Sequence, residues 1–217
     1  VRAGFNDAER KALAELGFIV VQIDGRGVPF RHKAFQDESY GWVESASKLE
    51  DHVAGIQQLA KRYPYMDLNR VGITSHTTGG PGGVQGLLHH PDFYKVGVQK
   101  TPHDSRLMSA SMLGEKFEGL SGPDAQCEYP EQLMKQLKGK LLLSCGMLDD
   151  VCPPAITFRL IEALQKANKD FDLLLLPTLG HASSSYQWRN CWDFLVRHLL
   201  ESEPPKDFHL TTAFDYL

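Results

Sequence analysis

The stretch Val71-Gly72-Ile73-Thr74-Ser75-His76-Thr77-Thr78-Gly79-Gly80 constrains this chain more than any other. Its opening residues form a short apolar run of strand type, bounded at once by small and polar residues. Pro81 follows, in the first turn of a helix, where its missing N–H matters least. A strand that turns sharply into a helix lifts one side chain above the sheet, and the residues two before and two after it must be small. Ser75 and Gly79 are those flanks, so Thr77 is the lifted residue. This is the layout of a nucleophile elbow, with threonine where the pattern G-x-S-x-G carries serine. A plain strand–loop–helix junction has the same local composition, so the rest of the chain has to decide.

Asn6 or Asp7 is placed to cap a helix that carries Ala8, Leu13 and Leu16 and stops at Gly17. Phe18 to Ile23 runs apolar and reads as a buried strand ending at Asp24-Gly25-Arg26-Gly27. Residues 28 to 44 read as an irregular surface loop. Ser45 or Ser47 opens a second helix, on which Leu49, Val53, Ile56 and Ala60 recur at helical spacing before Tyr63-Pro64 ends it. After the elbow, a helix runs to about His90-Pro91, and Val96 to Gln99 is a further strand. Residues 101 to 138 read as an excursion with short helices. Leu141 to Cys145 is a strand followed by a polar loop, Gly146 to Cys152. Pro153 and Pro154 start a helix with Ile156, Leu160, Ile161 and Leu164 on one face. Leu173 to Leu176 is a strand, Pro177 to His181 a loop, and the last helix carries Trp188, Cys191, Trp192, Leu195, Val196 and Leu199. The tail after Pro204-Pro205 reads as a loose terminus.

Apolar strands alternating with amphipathic helices predict a mostly parallel, doubly wound α/β sheet with helices on both faces. With 217 residues, no internal repeat and no linker, residues 1–217 read as one domain. The chain begins at Val1 directly before a helix, and reads as the C-terminal part of a longer protein. A net charge of −4 gives no case for nucleic acid or an anionic membrane. The longest apolar run, Leu173 to Leu176, is far too short to span a membrane. Cys127, Cys145, Cys152 and Cys191 lack C-x-x-C spacing and read as free thiols, with one disulfide open to an exported protein. His89, His90 and His103 have no carboxylate at a ligand spacing, so neither a metal nor another cofactor is predicted.

In open α/β sheets functional residues gather at the carboxyl ends of strands. Thr77, the Asp149-Asp150 pair and His181 each follow a predicted strand, in the order nucleophile, acid, histidine of the α/β-hydrolases. A hydroxyl needs an imidazole to take its proton, and a carboxylate must hold that imidazole in one tautomer. Val20 to Gly27 with its Asp-Gly-Arg-Gly end, Leu49-Glu50-Asp51-His52, the elbow with its double glycine, Cys145 to Asp150, and Gly180-His181 together resemble the catalytic domain of the prolyl oligopeptidase family of serine peptidases, in its dipeptidyl-peptidase-IV-like branch.

The resemblance implies an α/β-hydrolase fold, a peptide or small ester substrate cleaved through an acyl-enzyme, Thr77 at the nucleophile position, Asp149 as acid, His181 as base and Thr78 N–H as an oxyanion donor. Asp24 and Arg26 are expected to brace their loop. The resemblance also implies an upstream β-propeller outside this chain, an exported or periplasmic location, and a homodimer. The early strands that the family places on one side of the sheet are not in this sequence, so an exposed sheet edge is expected. Several positions depart from the family. Thr77 replaces serine, Thr78 replaces a bulky aromatic, Val151 replaces asparagine, and residues 103 to 113 hold no aromatic ring for proline. Two other readings share the fold: a catalytically inactive member kept for binding, and an esterase of the wider hydrolase fold.

Overall fold

A computed structural model of the chain describes residues 8–40, 48–77, 82–102, 115–116, 119 and 131–207. Four strands, β1 (Val71–His76), β2 (Tyr94–Lys100), β3 (Lys140–Gly146) and β4 (Asp172–Leu176), form one sheet in the order β1-β2-β3-β4. All three pairings are parallel. Parallel neighbours need crossovers, and helices supply them: α4 (Gly83–His89) links β1 to β2 and α6 (Pro154–Lys166) links β3 to β4. The other helices are α1 (Ala8–Glu15), α2 (Lys33–Gln36), α3 (Leu49–Arg62), α5 (Glu131–Met134) and α7 (Ser185–Leu199).

The period-2 alternation of strand side chains divides the core into two layers. Leu141 and Leu143 of β3 face one layer, with Leu87 and Leu88 of α4, Leu49 of α3, Met134 of α5, and Leu160 and Leu164 of α6. Leu142 faces the other, with Trp188, Trp192, Leu195 and Leu199 of α7 and Leu13 of α1. Each fully buried side chain of this kind contributes about 1.5–3 kcal/mol. In β2 the alternation is interrupted. Val71 pairs Tyr94 but Gly72 pairs Val96, so one extra residue bulges out. The slip lets Tyr94 join the first layer while Val96 and Val98 join the second.

The predicted strand at Phe18 to Ile23 is not formed. These residues have no ladder partner among the described strands, and Ile19 and Val20 are exposed. Apolarity alone does not make a strand, since its N–H and C=O groups need a neighbour. Ile23 instead packs its tip close to Gly55 of α3. β1 and β4 are the edges of the described sheet, and at β4 Leu173 and Leu175 are exposed although the whole run is apolar. Within the predicted irregular loop, residues 33–39 form α2 and a 3₁₀ turn. The second helix starts at Leu49, and its proposed caps Ser45 and Ser47 lie outside the described residues, as do Asn6, Asp7 and the tail beyond residue 207. Among the described residues no helix is long and apolar enough to cross a membrane.

Candidate active site

Two loops at the carboxyl ends of β3 and β4 bring Asp149 and His181 together. They cross so closely that a Cβ on Gly146 would collide with the carbonyl oxygens of Leu179 and Gly180. Only glycine fits that crossing. Backbone hydrogen bonds then zip the loops, Met147 N–H to Leu176 O at 2.9 Å and Leu148 N–H to Leu179 O at 3.0 Å. His181 Nδ1 lies 3.0 and 2.9 Å from the two carboxylate oxygens of Asp149. The Asp149 side chain is fully buried, and its Oδ1 also accepts the N–H groups of Val151 at 3.0 Å and Cys152 at 2.8 Å. This Asx-type turn fixes the carboxylate before α6 begins. The neighbouring Asp150 is exposed.

The turn after β1 is built differently. Thr77 follows the last strand residue with φ of +50°, in the left-handed region. A β-branched residue there is strained by about 1–3 kcal/mol. Three contacts sustain the turn. Thr77 N–H donates to Lys100 O at 3.1 Å, continuing the β1–β2 ladder by one step. Ser75 Oγ donates to Gln99 Oε1 at 2.7 Å and accepts Gly83 N–H at 2.8 Å, tying the strand to the start of α4. A Cβ on Gly83 would fall 2.7 Å from the Val98 backbone, so the helix lies on the sheet only because that residue is glycine. The Thr77 hydroxyl is 3.5 Å from Cys152 Sγ, a hydrogen bond in which either atom can donate. Among the described residues it makes no hydrogen bond to His181.

These contacts close into a ring. Thr77 touches Cys152, Cys152 N–H holds Asp149, Asp149 holds His181, and the His181 ring stacks on that of His76, the residue before Thr77. Burial pushes the Cys152 thiol up, against a smaller opposite pull from the Thr77 hydroxyl, so the thiol is protonated at neutral pH. His76 is pushed down to about 4, chiefly by burial and then by the charges of Lys100 and His181. Lys100 is itself buried. Its Nζ sits 3.1 Å over the Trp188 ring and 3.5 Å from Glu9, and burial outweighs Glu9 to lower its pKa.

Thr77, Asp149 and His181 therefore gather at one end of the sheet. Thr78, the expected oxyanion donor, and residues 103 to 113 lie outside the described residues. Cys152 carries no role in the sequence reading; its spacing of three residues after Asp149, an Asx-turn distance, is the available signal. Arg26 braces as expected: its N–H reaches Asp51 Oδ2 at 2.8 Å and its guanidinium spans both carboxylate oxygens at 3.0–3.2 Å. The Asp-Gly-Arg-Gly and Leu-Glu-Asp-His stretches are thus two halves of one contact. Among the described residues no group of three His, Cys, Asp or Glu is arranged to hold a metal.

Comparison with known proteins places this fold. Human dipeptidyl peptidase 8 is 30% identical over 176 residues, a match covering 78% of this chain and 20% of that protein. A putative dipeptidyl aminopeptidase IV from Bacteroides ovatus superposes with a TM-score of 0.69 at 26% identity, covering 82% of this chain and 26% of that one. An acylaminoacyl peptidase from Pyrococcus horikoshii shares the fold, with a TM-score of 0.69 at 20% identity over 84% of this chain and 32% of that one. The chain thus spans about a fifth of the length of the dipeptidyl peptidase 8 it matches. The fold is that of the α/β-hydrolase peptidases. The sequence profile of the prolyl oligopeptidase family matches residues 3–202, and the chain belongs to that family.

Proposed function

We propose that this chain is the catalytic domain of a dipeptidyl-peptidase-like, serine-peptidase-type hydrolase that cleaves peptide bonds through an acyl-enzyme. The observation that carries the reading is the Asp149–His181 contact, a fully buried carboxylate on Nδ1 of a part-exposed histidine beside the elbow. A carboxylate on Nδ1 keeps the proton there and leaves Nε2 free to accept another. In the proposed reaction the Thr77 hydroxyl turns from Cys152 toward His181. Its oxygen attacks the scissile carbonyl while Nε2 takes its proton. The tetrahedral oxyanion is held by backbone N–H groups, with that of Thr78 as one candidate. Collapse breaks the C–N bond, and His181 passes its proton to the leaving amine. Water then repeats the sequence on the ester and frees Thr77. Peptide size would be selected by a β-propeller outside these residues.

A second reading is an inactive member of the family. It is favoured by the Thr77 hydroxyl bonding Cys152 rather than the base, and by the extra methyl that narrows its rotamers in a strained turn. Labelling with a fluorophosphonate probe, read by intact mass, separates the two. Uptake of one probe by the native chain and none by His181→Ala is the expected result for an enzyme. Labelling only after Thr77→Ser places the loss at that single residue. No labelling of either form defeats the hydrolase reading.

A further inference from the structure

We infer that His76 is a positioning residue for His181: its imidazole is the flat support that fixes the plane of the His181 ring. The inference rests on the reading of His181 as the base. The two rings are stacked, with centroids 5.7 Å apart and planes at 25°. Both Asp149 contacts fall on a single atom of His181, Nδ1. A ring held at one nitrogen can still rock about that attachment, and the direction of Nε2 rocks with it. A second ring against its face removes that freedom, because tilting either ring forfeits the contact.

His76 is suited to the role by its place. It is the last residue of β1, in register with Lys100 of β2, so the parallel ladder sets its orientation. Its Nε2 is buried without a hydrogen-bond partner among the described residues, and the ring is packed against that of His181. The charged and titratable groups facing it are Lys100 from β2 and Asp149 and His181 from the two loops. With Lys100 adjacent and water largely excluded, His76 stays neutral at physiological pH. It can therefore support His181 in either charge state without competing for Asp149 or repelling an imidazolium. A charged support would oppose the proton transfer that the base has to make.

The test uses the full chain and a readout that does not depend on Thr77: the low-field proton NMR resonance of His181 Nδ1–H bonded to Asp149, recorded for wild type, His76→Phe, His76→Leu and His76→Ala. Thermal melting checks that each variant is folded. Phenylalanine keeps the flat face, and leucine keeps bulk without it. The expected result is a resonance retained in wild type and His76→Phe and lost to solvent exchange in His76→Leu and His76→Ala. Persistence of the signal in the leucine and alanine variants overturns the inference, as does its loss in the phenylalanine variant. If His76→Ala does not fold, the phenylalanine–leucine pair decides alone. Absence of the resonance from wild type removes the His181–Asp149 bond and takes the functional reading with it. The expected NMR pattern in a chain that fails to label leaves the positioning role intact and defeats only the hydrolase reading.

Discussion

Asp149 and His181 sit on loops that are zipped to each other through their backbones, whereas Thr77 sits on a strained turn with its hydroxyl engaged by a thiol. The first half of the site has redundant restraint: a buried carboxylate takes two backbone N–H groups as well as the imidazole. The second half depends on one residue in the left-handed region, and the side chain there is β-branched. Restraint on Asp149 and His181 costs little, because loop backbone groups need partners in any case. Restraint on the elbow is costly, and each extra atom on its apex narrows what that apex can do. The difference locates the question of catalytic competence at Thr77 rather than at the histidine.

The largest test of this contrast is Asp149→Ala. Removing the carboxylate strands two loop N–H groups and frees His181, so a stability loss of about 3 kcal/mol is expected in urea denaturation. Probe labelling should vanish even in a Thr77→Ser background. An unchanged midpoint would mean that the first half is not the rigid one. Thr77→Ser acts on the other half. Relief of the methyl should raise the labelling rate by about a hundredfold, in the range that a correctly engaged general base provides. If the rate does not change, the elbow is not what limits the chain.

A third experiment uses pH. An unfolded histidine takes up its proton near 6.5, while folded His76 resists until about 4. Its contribution to stability is therefore complete above pH 6.5 and is lost as the pH falls toward 4, by roughly 2 kcal/mol. Burial lowers His52 and His89 in the same direction, so the whole-protein slope has the same sign. Denaturation midpoints at pH 7.5 and 4.5 should converge in His76→Phe relative to wild type. The smallest effect is expected from Cys152. Cys152→Ser keeps a hydrogen-bonding atom near Thr77 and should change labelling little. Cys152→Ala removes it, freeing the hydroxyl at a cost or gain within about 1 kcal/mol, read as a several-fold change in labelling rate. A larger change would make Cys152 part of the working site.

Much of the fold was legible along the chain. The apolar runs at β1, β2, β3 and β4 and the helical spacing on α3, α6 and α7 specify a parallel sheet with two covered faces. The order of Thr77, Asp149 and His181 was legible too, because strand ends place functional loops at one edge. Phe18 to Ile23 was misread for a reason of the same kind. Its composition is that of a strand, but strand identity depends on a neighbour, which composition does not report.

By itself the sequence determined which residue types are available and in what order: a threonine at the apex, an aspartate and a histidine downstream, and glycines at Gly83 and Gly146 where backbones must nearly touch. It also determined the family, through short motifs whose spacing survives in the linear chain. Tertiary structure alone decided the pairings. It joined Arg26 to Asp51, turned the Thr77 hydroxyl toward Cys152, and laid His181 on His76. Those contacts depend on angles and distances of a few ångströms between loops far apart in sequence. Hydrogen bonds and ring packing lose their strength over such lengths, so no one-dimensional pattern encodes them.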